Sequence, residues 1–431
     1  MTINEIYECF LNTTGVCTDT RKIIKDCIFF ALKGENFDAN TFTENALKLG
    51  AKYVVIDNEK YKINHQTILV ENVLKTLQNL ATHHRTKLNI PIIALTGSNG
   101  KTTTKELINA TLSTKYKTCA TIGNLNNHIG LPLTLLSFNK ETEIGIVEMG
   151  ANHQKEIEFL CNIALPNFGY ITNFGKAHLE GFGGTEGVIK GKSELYNYLK
   201  ENNKTAFVNL DDEIQKEKTE KINRITFSQK NKNANVFFSD TNAKPFAKVV
   251  FEETIANSNL IGIYNINNIC AAITIAKHFN VENLSIKRAI ESYKPENNRS
   301  QLLNKSGYKI ILDAYNANPS SMAVAIENFF DIEDKNKTII LGDMFELGND
   351  SLKEHKEIVN QLKSSKNFDY AFLIGNEFYK HKENLNNIYF FKDFNSFLEN
   401  INLFKQKEKG NLLIKGSRGM ALERIIEYLH L

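Results

Sequence analysis

The stretch TGSNGKTTTKE, from Thr96 to Glu106, decides how the centre of this chain folds. It follows the β-branched apolar run IPIIAL, which predicts a buried strand. It leads into a segment with apolar residues at Leu107, Ile108 and Leu112, which predicts a half-buried helix. A strand, a glycine loop and a helix in this order aim free backbone N–H groups and the positive end of the helix dipole at one point. The stretch therefore predicts a phosphate site.

The spacing of this loop differs from that of the standard ATP loop. The standard pattern has four residues between its first glycine and the Gly-Lys pair, whereas two residues separate Gly97 from Gly100. In an ATP loop Lys101 would meet the outer phosphates, and the hydroxyl of Thr102 would meet a magnesium ion. The alternative is an ordinary glycine turn with a solvated lysine, and the flanking strand and helix favour the phosphate site.

Length and composition restrict the class of protein. The 431 residues exceed the usual size of one hydrophobic core and predict two or three domains. A net charge of +3 without a long basic run argues against nucleic-acid binding. The first residues, MTINEIYECF, lack the features of a signal peptide, and no apolar run is long enough to span a membrane. The six cysteines form no CxxC pair. We therefore expect a reduced cytoplasmic protein without membrane insertion or structural zinc.

Three sections of the chain differ in composition. Residues 1–88 hold short strand-like runs and no ATP loop, residues 89–296 contain the glycine loop, and residues 297–431 alternate strands with helices again. Apolar strands that alternate with helices predict an α/β protein with mostly parallel sheets in the second and third sections. In the third section, Asn318 and Pro319 predict a helix start, as N-cap and first helical residue.

Polar side chains follow the predicted strands at their carboxyl ends, where open α/β sheets bind ligands: Glu148, His178, Asp313 and Lys415 to Arg418. A carboxylate at Glu148 would hold a magnesium ion opposite Thr102. A capping or salt-bridging role is the alternative for Glu148, and a lone histidine such as His178 is more often structural than metal-bound.

The order of these motifs along the chain resembles the Mur ligase family. The matching blocks are TDTRKIIKDCIFFALKGENFDANTF, TGSNGKTTTKE, GNLNNHIGLPLTLL, EMGANHQKEIEFL, AHLEGFGG, GVIKGKSELY, YNINNICAA, LDAYNANPSSM, LGDMFELG and KGSRGM. They span nearly the whole chain, and the shortened loop at Thr96 matches the ATP loop of that family. The resemblance implies three domains. Residues 1–88 would form a small α/β N-terminal domain that binds the uridine nucleotide, and residues 89–296 a central P-loop-type ATPase domain with a mostly parallel sheet. Residues 297–431 would form a C-terminal Rossmann-like α/β domain that closes over ATP and binds the incoming dipeptide.

The blocks ANHQKEI and YNANPSSM imply one activity within the family. It is the ATP-dependent addition of D-alanyl-D-alanine to UDP-N-acetylmuramoyl-tripeptide through an acyl phosphate, which yields the pentapeptide precursor of peptidoglycan. The alternatives are a UDP-muramoyl-tripeptide synthetase, a folylpolyglutamate synthase and a non-catalytic nucleotide-binding protein. The uridine-type block argues against the folate enzyme, the ANHQKEI and YNANPSSM blocks against the tripeptide synthetase, and the intact catalytic residues against a degenerate site. The resemblance also implies a monomer.

The resemblance implies two magnesium ions. It also implies four catalytic residues, which are Lys101, Glu148, His178 and Lys192. One ion is expected at Thr102 and Glu148, between the β- and γ-phosphates, and the second near His178, beside the acceptor carboxylate. Lys192 is implied to carry a carbamate formed with carbon dioxide, because an ammonium beside magnesium would be repelled whereas a carbamate offers anionic oxygens. Without the resemblance, Lys192 would be a plain surface lysine.

The remaining contacts follow block by block from the resemblance. ATP is implied to contact Gly97, Ser98, Asn99, Gly100, Lys101, Thr102, Thr103, Asn265, Asn268, Arg299 and Asp313. The uridine nucleotide is implied to contact Asp19, Thr20, Arg21, Lys33 and Asn40. The muramoyl group is implied to contact Asn126 and Asn127. An anionic group of the dipeptide or of ATP is implied to contact Lys415 and Arg418. Turn or capping roles are the alternatives for the four asparagines from Asn126 to Asn268. The sequence departs from the family pattern in the first domain, where FDAN replaces the usual Asp-Gly-His. This departure argues against Asn40 as a nucleotide contact.

Overall fold

Three large sheets follow one another along the chain, formed from strands within residues 16–69, 92–261 and 301–415. The structure, a computed structural model, describes residues 1–296 and 298–430. Helices pack against each of the three large sheets, which confirms the predicted α/β class. The predicted domain boundary at 296/297 adjoins Asn297, which, like Leu431, lies outside the described residues, and the boundaries stay predictions.

The first sheet has four parallel strands in the order β1-β2-β5-β6. Its strands and those of a small hairpin are β1 (Val16–Cys17), β2 (Ile28–Phe30), β3 (Lys33–Gly34), β4 (Phe37–Asp38), β5 (Tyr53–Ile56) and β6 (Thr67–Leu69), and the helices are α1 (Ile3–Leu11), α2 (Thr43–Lys48) and α3 (Val73–Leu88). α1 begins with a capping box, in which the side chains of Thr2 and Glu5 each bond the other's backbone N–H. α3 packs against α1 and against two helices of the next section.

The central sheet has nine strands in the order β15-β14-β13-β12-β11-β10-β7-β9-β8. The strands are β7 (Ile92–Thr96), β8 (Thr118–Ala120), β9 (Ile144–Glu148), β10 (Phe168–Ile171), β11 (Thr205–Asn209), β12 (Asn223–Ser228), β13 (Val236–Ala243), β14 (Phe246–Phe251) and β15 (Thr254–Ile261). The helices are α4 (Lys101–Leu112), α5 (Gly130–Leu136), α6 (Glu156–Ala164), α7 (Leu179–Phe182), α8 (Thr185–Glu201), α9 (Glu213–Lys218), α10 (Tyr264–His278) and α11 (Asn283–Ser292). The predicted strand and helix around the glycine loop are confirmed as β7 and α4.

Parallel pairing dominates this sheet, as predicted, except at one edge. All pairs from β8 to β13 are parallel, whereas β13, β14 and β15 form an antiparallel meander. The sequence analysis did not identify this meander. Buried and more exposed residues alternate along its strands, because α10 covers one face of the meander and the other face is open. In β14, for example, Val249 and Phe251 are buried, whereas Lys248 and Val250 are more exposed.

The third sheet has the order β16-β17-β21-β18-β19-β20 and is parallel apart from the β16–β17 hairpin. The strands are β16 (Gln301–Lys305), β17 (Tyr308–Asp313), β18 (Lys337–Gly342), β19 (Tyr370–Ile374), β20 (Ile388–Phe391) and β21 (Asn411–Lys415), and the helices are α12 (Pro319–Phe330), α13 (Ser351–Lys363), α14 (Asn376–Tyr379), α15 (Phe394–Glu399) and α16 (Ile401–Lys405). The predicted start of α12 is confirmed, with Asn318 as N-cap and Pro319 as first helical residue. No helix among the described residues is long and apolar enough to cross a bilayer.

Candidate active site

The carboxyl ends of three neighbouring parallel strands form the centre of the site. β7 lies between β9 and β10, with Leu95 level with Glu148 and Thr96 level with Ile171. The glycine loop that leaves β7 is therefore flanked by Glu148 on one side and by the residues after Ile171 on the other. This is the sheet edge at which the sequence predicted the ligand.

The glycine loop is held by the segment that follows β10. The N–H of Ser98 donates to Asn173 O (3.0 Å), and the N–H of Asn99 donates to Asn173 Oδ1 (3.2 Å). Asn99 O accepts from Thr172 Oγ1 (2.6 Å), and Ser98 Oγ donates to Gly175 O (2.6 Å). Thr172 and Asn173 were not predicted to be part of the site, although their position directly after a predicted strand was the available signal.

Glycine is required at both glycine positions of the loop. Gly97 and Gly100 have φ values of +140° and +79°, and a Cβ on Gly100 would lie 2.7 Å from Asn268 Oδ1. Asn268 in turn donates from Nδ2 to Asn265 Oδ1 (2.9 Å) and accepts from Thr104 Oγ1 (3.1 Å). These contacts join the loop to α10 and bring Asn265 and Asn268, both predicted to contact ATP, to the loop.

Replacing Gly97 with alanine is expected to lower both the thermal stability and the affinity for ATP. A Cβ at Gly97 would meet Thr172 Oγ1 at 2.0 Å and the backbone N of Thr172 at 2.9 Å. Gly15 is a matched control, because its φ of +143° is nearly the same and a Cβ there has no neighbour within 4 Å. Backbone strain costs each variant about 1–3 kcal/mol, so a melting temperature in Gly97→Ala no lower than in Gly15→Ala, with unchanged ATP binding, would contradict the close approach.

Lys101 begins α4 and folds back over the loop. Its Nζ donates to Gly97 O (2.8 Å) and to Ser98 O (3.4 Å), so the ammonium lies where the loop curves. Burial lowers the pKa of Lys101 below its usual value, while Glu148 opposes this shift and Arg299 adds to it. An anionic phosphate in the loop would restore the balance of charge around this ammonium.

Thr102 and Glu148 form a pair of oxygen donors beside Lys101. Thr102 Oγ1 donates to Glu148 Oε2 (2.9 Å), and Asn126 Nδ2 donates to Glu148 Oε1 (2.8 Å). The Glu148 side chain is 2% exposed. A hydroxyl and a carboxylate suit magnesium, which usually takes one or two protein oxygens and completes its shell with phosphate and water. No group of three or more His, Cys, Asp or Glu positioned to hold a metal occurs in the described part of the chain.

A cleft of about 1560 Å³ joins these residues to the C-terminal section. Of the predicted residues it is lined by Ser98, Asn99, Gly100, Lys101, Thr102, Thr103, Asn126, Asn127, Glu148, His178, Asn265, Asn268, Arg299, Asp313 and Lys415. The cleft therefore brings together most of the residues predicted for ATP and the muramoyl group, from parts of the chain more than 300 residues apart.

The C-terminal section contributes a charged wall to the cleft. Lys415 Nζ pairs with the Asp313 carboxylate, which also accepts the N–H of Ser300 (3.1 Å). The guanidinium of Arg299 lies 3.6 Å from the centre of the Tyr315 ring. Asn318 Nδ2 donates to Asn99 Oδ1 (2.7 Å), which links the start of α12 directly to the glycine loop.

Lys192 does not line the cleft, and it is not the surface lysine that the sequence alone suggests. Its side chain is 0% exposed, Nζ donates to Ala151 O (3.1 Å) and lies 4.9 Å from the centre of the Phe182 ring. Burial, and the charge of Lys101 after it, lower the pKa of Lys192 well below its usual value. Lys192 therefore lies beneath the loop that follows β9, as an amine without an acidic hydrogen-bond partner.

The other predicted substrate residues lie away from the cleft. Arg21 and Asp19 bind each other (2.8 Å) beside Thr20, and Lys33 pairs with Asp57 (2.8 Å), all in the N-terminal section. Arg418 pairs with Glu423 (2.7 Å) and is not among the residues that line the cleft.

The structure places Asn40, predicted as a nucleotide contact, inside the N-terminal fold. This side chain is fully buried, its Nδ2 donates to Asp38 Oδ1 (2.6 Å) and Asp57 Oδ1 (2.9 Å), and its Oδ1 accepts the N–H of Asp57 (3.0 Å). The amide is thus used inside the fold and is not presented to a nucleotide. Through Asp57, Asn40 is also connected to Lys33, which pairs with the same carboxylate.

Comparisons with known protein families agree with this geometry. Residues 95–276 match the family model of the Mur ligase middle domain, and residues 298–418 match that of the Mur ligase glutamate ligase domain. The chain is 35% identical over 429 residues to the UDP-N-acetylmuramoyl-tripeptide–D-alanyl-D-alanine ligase of Bacillus subtilis, which covers 96% of this chain and 93% of the relative.

Solved structures show the same three-domain arrangement. The crystal structure of MurF from Acinetobacter baumannii superposes with a TM-score of 0.87 at 28% identity and covers 99% of this chain and 98% of that one. The MurF ligase of Thermotoga maritima in complex with ADP superposes with a TM-score of 0.83 at 27% identity, over 97% of both chains. The sequence similarity over nearly the full length and the shared fold lead to one conclusion. The chain belongs to the Mur ligase family.

Proposed function

We propose that this protein is an ATP-dependent amide ligase that adds D-alanyl-D-alanine to UDP-N-acetylmuramoyl-tripeptide, giving ADP, phosphate and the pentapeptide precursor of peptidoglycan. The observation that carries this proposal is the single cleft in which the glycine loop, Glu148 and the charged wall of the C-terminal section meet. The full-length similarity to ligases of this substrate favours it over the tripeptide synthetase and the folylpolyglutamate synthase. Such a ligase works in the cytoplasm, and we expect a monomer.

The phosphate-binding residues provide the first half of the reaction. The γ-phosphoryl group passes to the carboxylate of the tripeptide, so two anions must approach each other, and cations have to offset their repulsion. Lys101 and the N–H groups at the start of α4 bind the phosphates, and Arg299 adds a positive charge from the C-terminal side. Thr102 and Glu148 would hold a magnesium ion, and His178 a second one; these ions supply electrostatic stabilisation of the transferring group.

The second half of the reaction needs the C-terminal section close by. The amine of the dipeptide attacks the acyl phosphate, and phosphate leaves from the tetrahedral intermediate. Water would destroy the acyl phosphate, so the cleft must be covered while the intermediate exists. Closure is supported by Asn318, which bonds to Asn99 of the glycine loop across the cleft. Lys415 is suited to bind an anionic group of the dipeptide or ATP. The uridine nucleotide would bind at Asp19, Thr20, Arg21 and Lys33.

Lys192 supports the proposal as a carbamate. An amine reacts with carbon dioxide only when it is neutral, and burial favours the neutral amine of Lys192. The neutral amine forms an N–C bond with carbon dioxide and loses one proton, which leaves an anionic carbamate close to Lys101. The carbamate oxygens would then serve as ligands near His178.

A coupled assay of phosphate release tests the proposed function. Phosphate should appear only when ATP, UDP-N-acetylmuramoyl-tripeptide and D-alanyl-D-alanine are all present, because the acyl phosphate turns over productively only with an amine. Replacing the dipeptide by glutamate, or the nucleotide by a folate, should reduce the rate to background. Release with a folate substrate, or no release with any of these sets while ATP still binds, would contradict the proposal.

A further inference from the structure

The loop between β18 and α13 reaches from the C-terminal section to the central one. This bridging loop, residues 343–350, places the carboxylate of Glu346 against the imidazole, with Oε2 facing Nδ1 of His178. The backbone of the loop makes a second contact, because Glu346 O accepts the N–H of Glu180 (3.3 Å). Gly348 packs against the Glu180 side chain at the same place. The bridging loop thus contacts the segment of His178 at several points.

The bridging loop is held firmly by its own domain. The N–H of Met344 donates to Nε2 of the fully buried His355 (3.0 Å), and the N–H of Phe345 donates to Ser417 Oγ (2.9 Å). Asp343, at the base of the loop, accepts the backbone N–H groups of Glu377 (2.9 Å) and Phe378 (3.0 Å). Because its base is anchored in this way, the loop places Glu346 at a defined point relative to the third sheet.

Backbone conformation on both sides of the contact indicates that it is specifically maintained. His178 has a φ of +52° and Glu346 a φ of +61°, and neither residue is glycine. Left-handed conformations are unfavourable for such residues and persist only where the surrounding contacts hold them. The pair itself is half exposed on the Glu346 side, so it adds little to stability, and an effect on orientation is the better explanation.

We propose that Glu346 is a positioning residue for His178. In this role the carboxylate, whose Oε2 faces Nδ1 of His178, would accept the Nδ1–H, fix that tautomer and leave the lone pair of Nε2 available in the cleft. Histidines that bind a metal commonly donate their other N–H to a carboxylate in this way. Since Glu346 is carried by the C-terminal section, His178 is oriented only when this section is docked. Closure of the domain and completion of the site therefore occur together, which limits wasteful use of ATP. This inference rests on the proposed role of His178.

A neighbouring ion pair supplies the matched control. Lys176 Nζ binds Glu354 (2.6 Å) across the same interface, and neither residue lines the cleft. Lys176→Met removes an ionic contact between the same two sections without touching His178. A difference between Glu346→Ala and Lys176→Met therefore separates positioning from simple docking.

The tautomer of His178 is measured by ¹⁵N NMR of the full-length protein with ADP and without divalent cations. In a separate assay, kcat is measured with all substrates present. The Nδ1–H tautomer should dominate in the unmodified protein, in Lys176→Met and in Glu346→Gln, whose amide oxygen still accepts this proton. In Glu346→Ala the Nε2–H tautomer should increase and kcat should fall about 10–100-fold. Glu346→Gln should recover part of this loss, and Lys176→Met should stay within about twofold.

Two results would overturn the inference. One is an unchanged tautomer and rate in Glu346→Ala; the other is an equal loss of rate in Glu346→Ala and Lys176→Met, which would make Glu346 a docking contact only. His178→Ala separates this inference from the function on which it rests. An inactive His178→Ala beside a fully active Glu346→Ala would reject the positioning role alone, whereas an active His178→Ala would reject the role of His178 itself.

Discussion

Replacing Lys101 with alanine is expected to reduce the ligase rate by about a thousandfold or more while the protein stays folded. A single preorganised charge at a developing anion is worth about 10²–10³ in rate, and charges that act on a transferring phosphoryl group reach higher values. The Nζ of Lys101 touches only loop carbonyls, and burial already disfavours its charge. The alanine variant should therefore keep its melting temperature within a few degrees.

The control for Lys101 is Lys115, beyond the other end of α4. Its Nζ donates to Asn280 O (2.8 Å), far from the glycine loop, so Lys115→Ala should retain the normal rate. Phosphate release and thermal unfolding are measured for both variants. A folded Lys101→Ala protein with a rate near that of Lys115→Ala would remove the glycine loop from the mechanism.

Replacing Lys192 with alanine is expected to lower the rate by about a hundredfold or more, with partial recovery on addition of formate or acetate. If Lys192 acts as a carbamate, its removal deletes an anionic ligand close to Lys101 and to the proposed magnesium sites. The vacated space beneath Ala151 and Phe182 is enclosed, so a small carboxylate can occupy it and supply the missing oxygens. Rates are measured against the concentration of added acid.

Lys190 is the matched control for Lys192, because it lies two residues earlier on α8 and is exposed. Lys190→Ala should keep most of the activity and show no response to the acids. A purely structural Lys192 predicts another pattern, in which Lys192→Ala loses thermal stability but the folded fraction has normal specific activity. That pattern, without recovery by any acid, would reject the carbamate.

Local sequence determined much of the fold because its signals act over a few residues. The apolar run before Thr96 formed a buried strand, and Asn318 with Pro319 started a helix where the capping pattern predicted. The central antiparallel meander was not predicted because its strands are half-buried at a sheet edge. The alternation of buried and exposed residues in such strands is a weaker sequence signal than the continuous apolar runs of β7 and β9.

The candidate site was partly predictable for a similar reason. In parallel sheets the residues after neighbouring strands share one edge, so the loop at Gly97 and the carboxylate of Glu148 could be expected together. The pairing order decides which strand ends are neighbours, and pairing depends on contacts between distant parts of the chain. The support from Thr172 and Asn173 became visible only when β10 was placed beside β7.

By itself the sequence determined the α/β class and the strand, loop and helix around Gly97, and it predicted several of the residues that line the cleft. Only the tertiary structure decided how buried each side chain is and which partner it meets. It placed Lys192 beneath the cleft, used the amide of Asn40 inside the N-terminal fold, and brought Glu346 to His178. The physical reason is that burial and contacts across 168 positions, as between His178 and Glu346, depend on how whole sheets and helices pack, whereas strand and turn signals depend on neighbours in sequence.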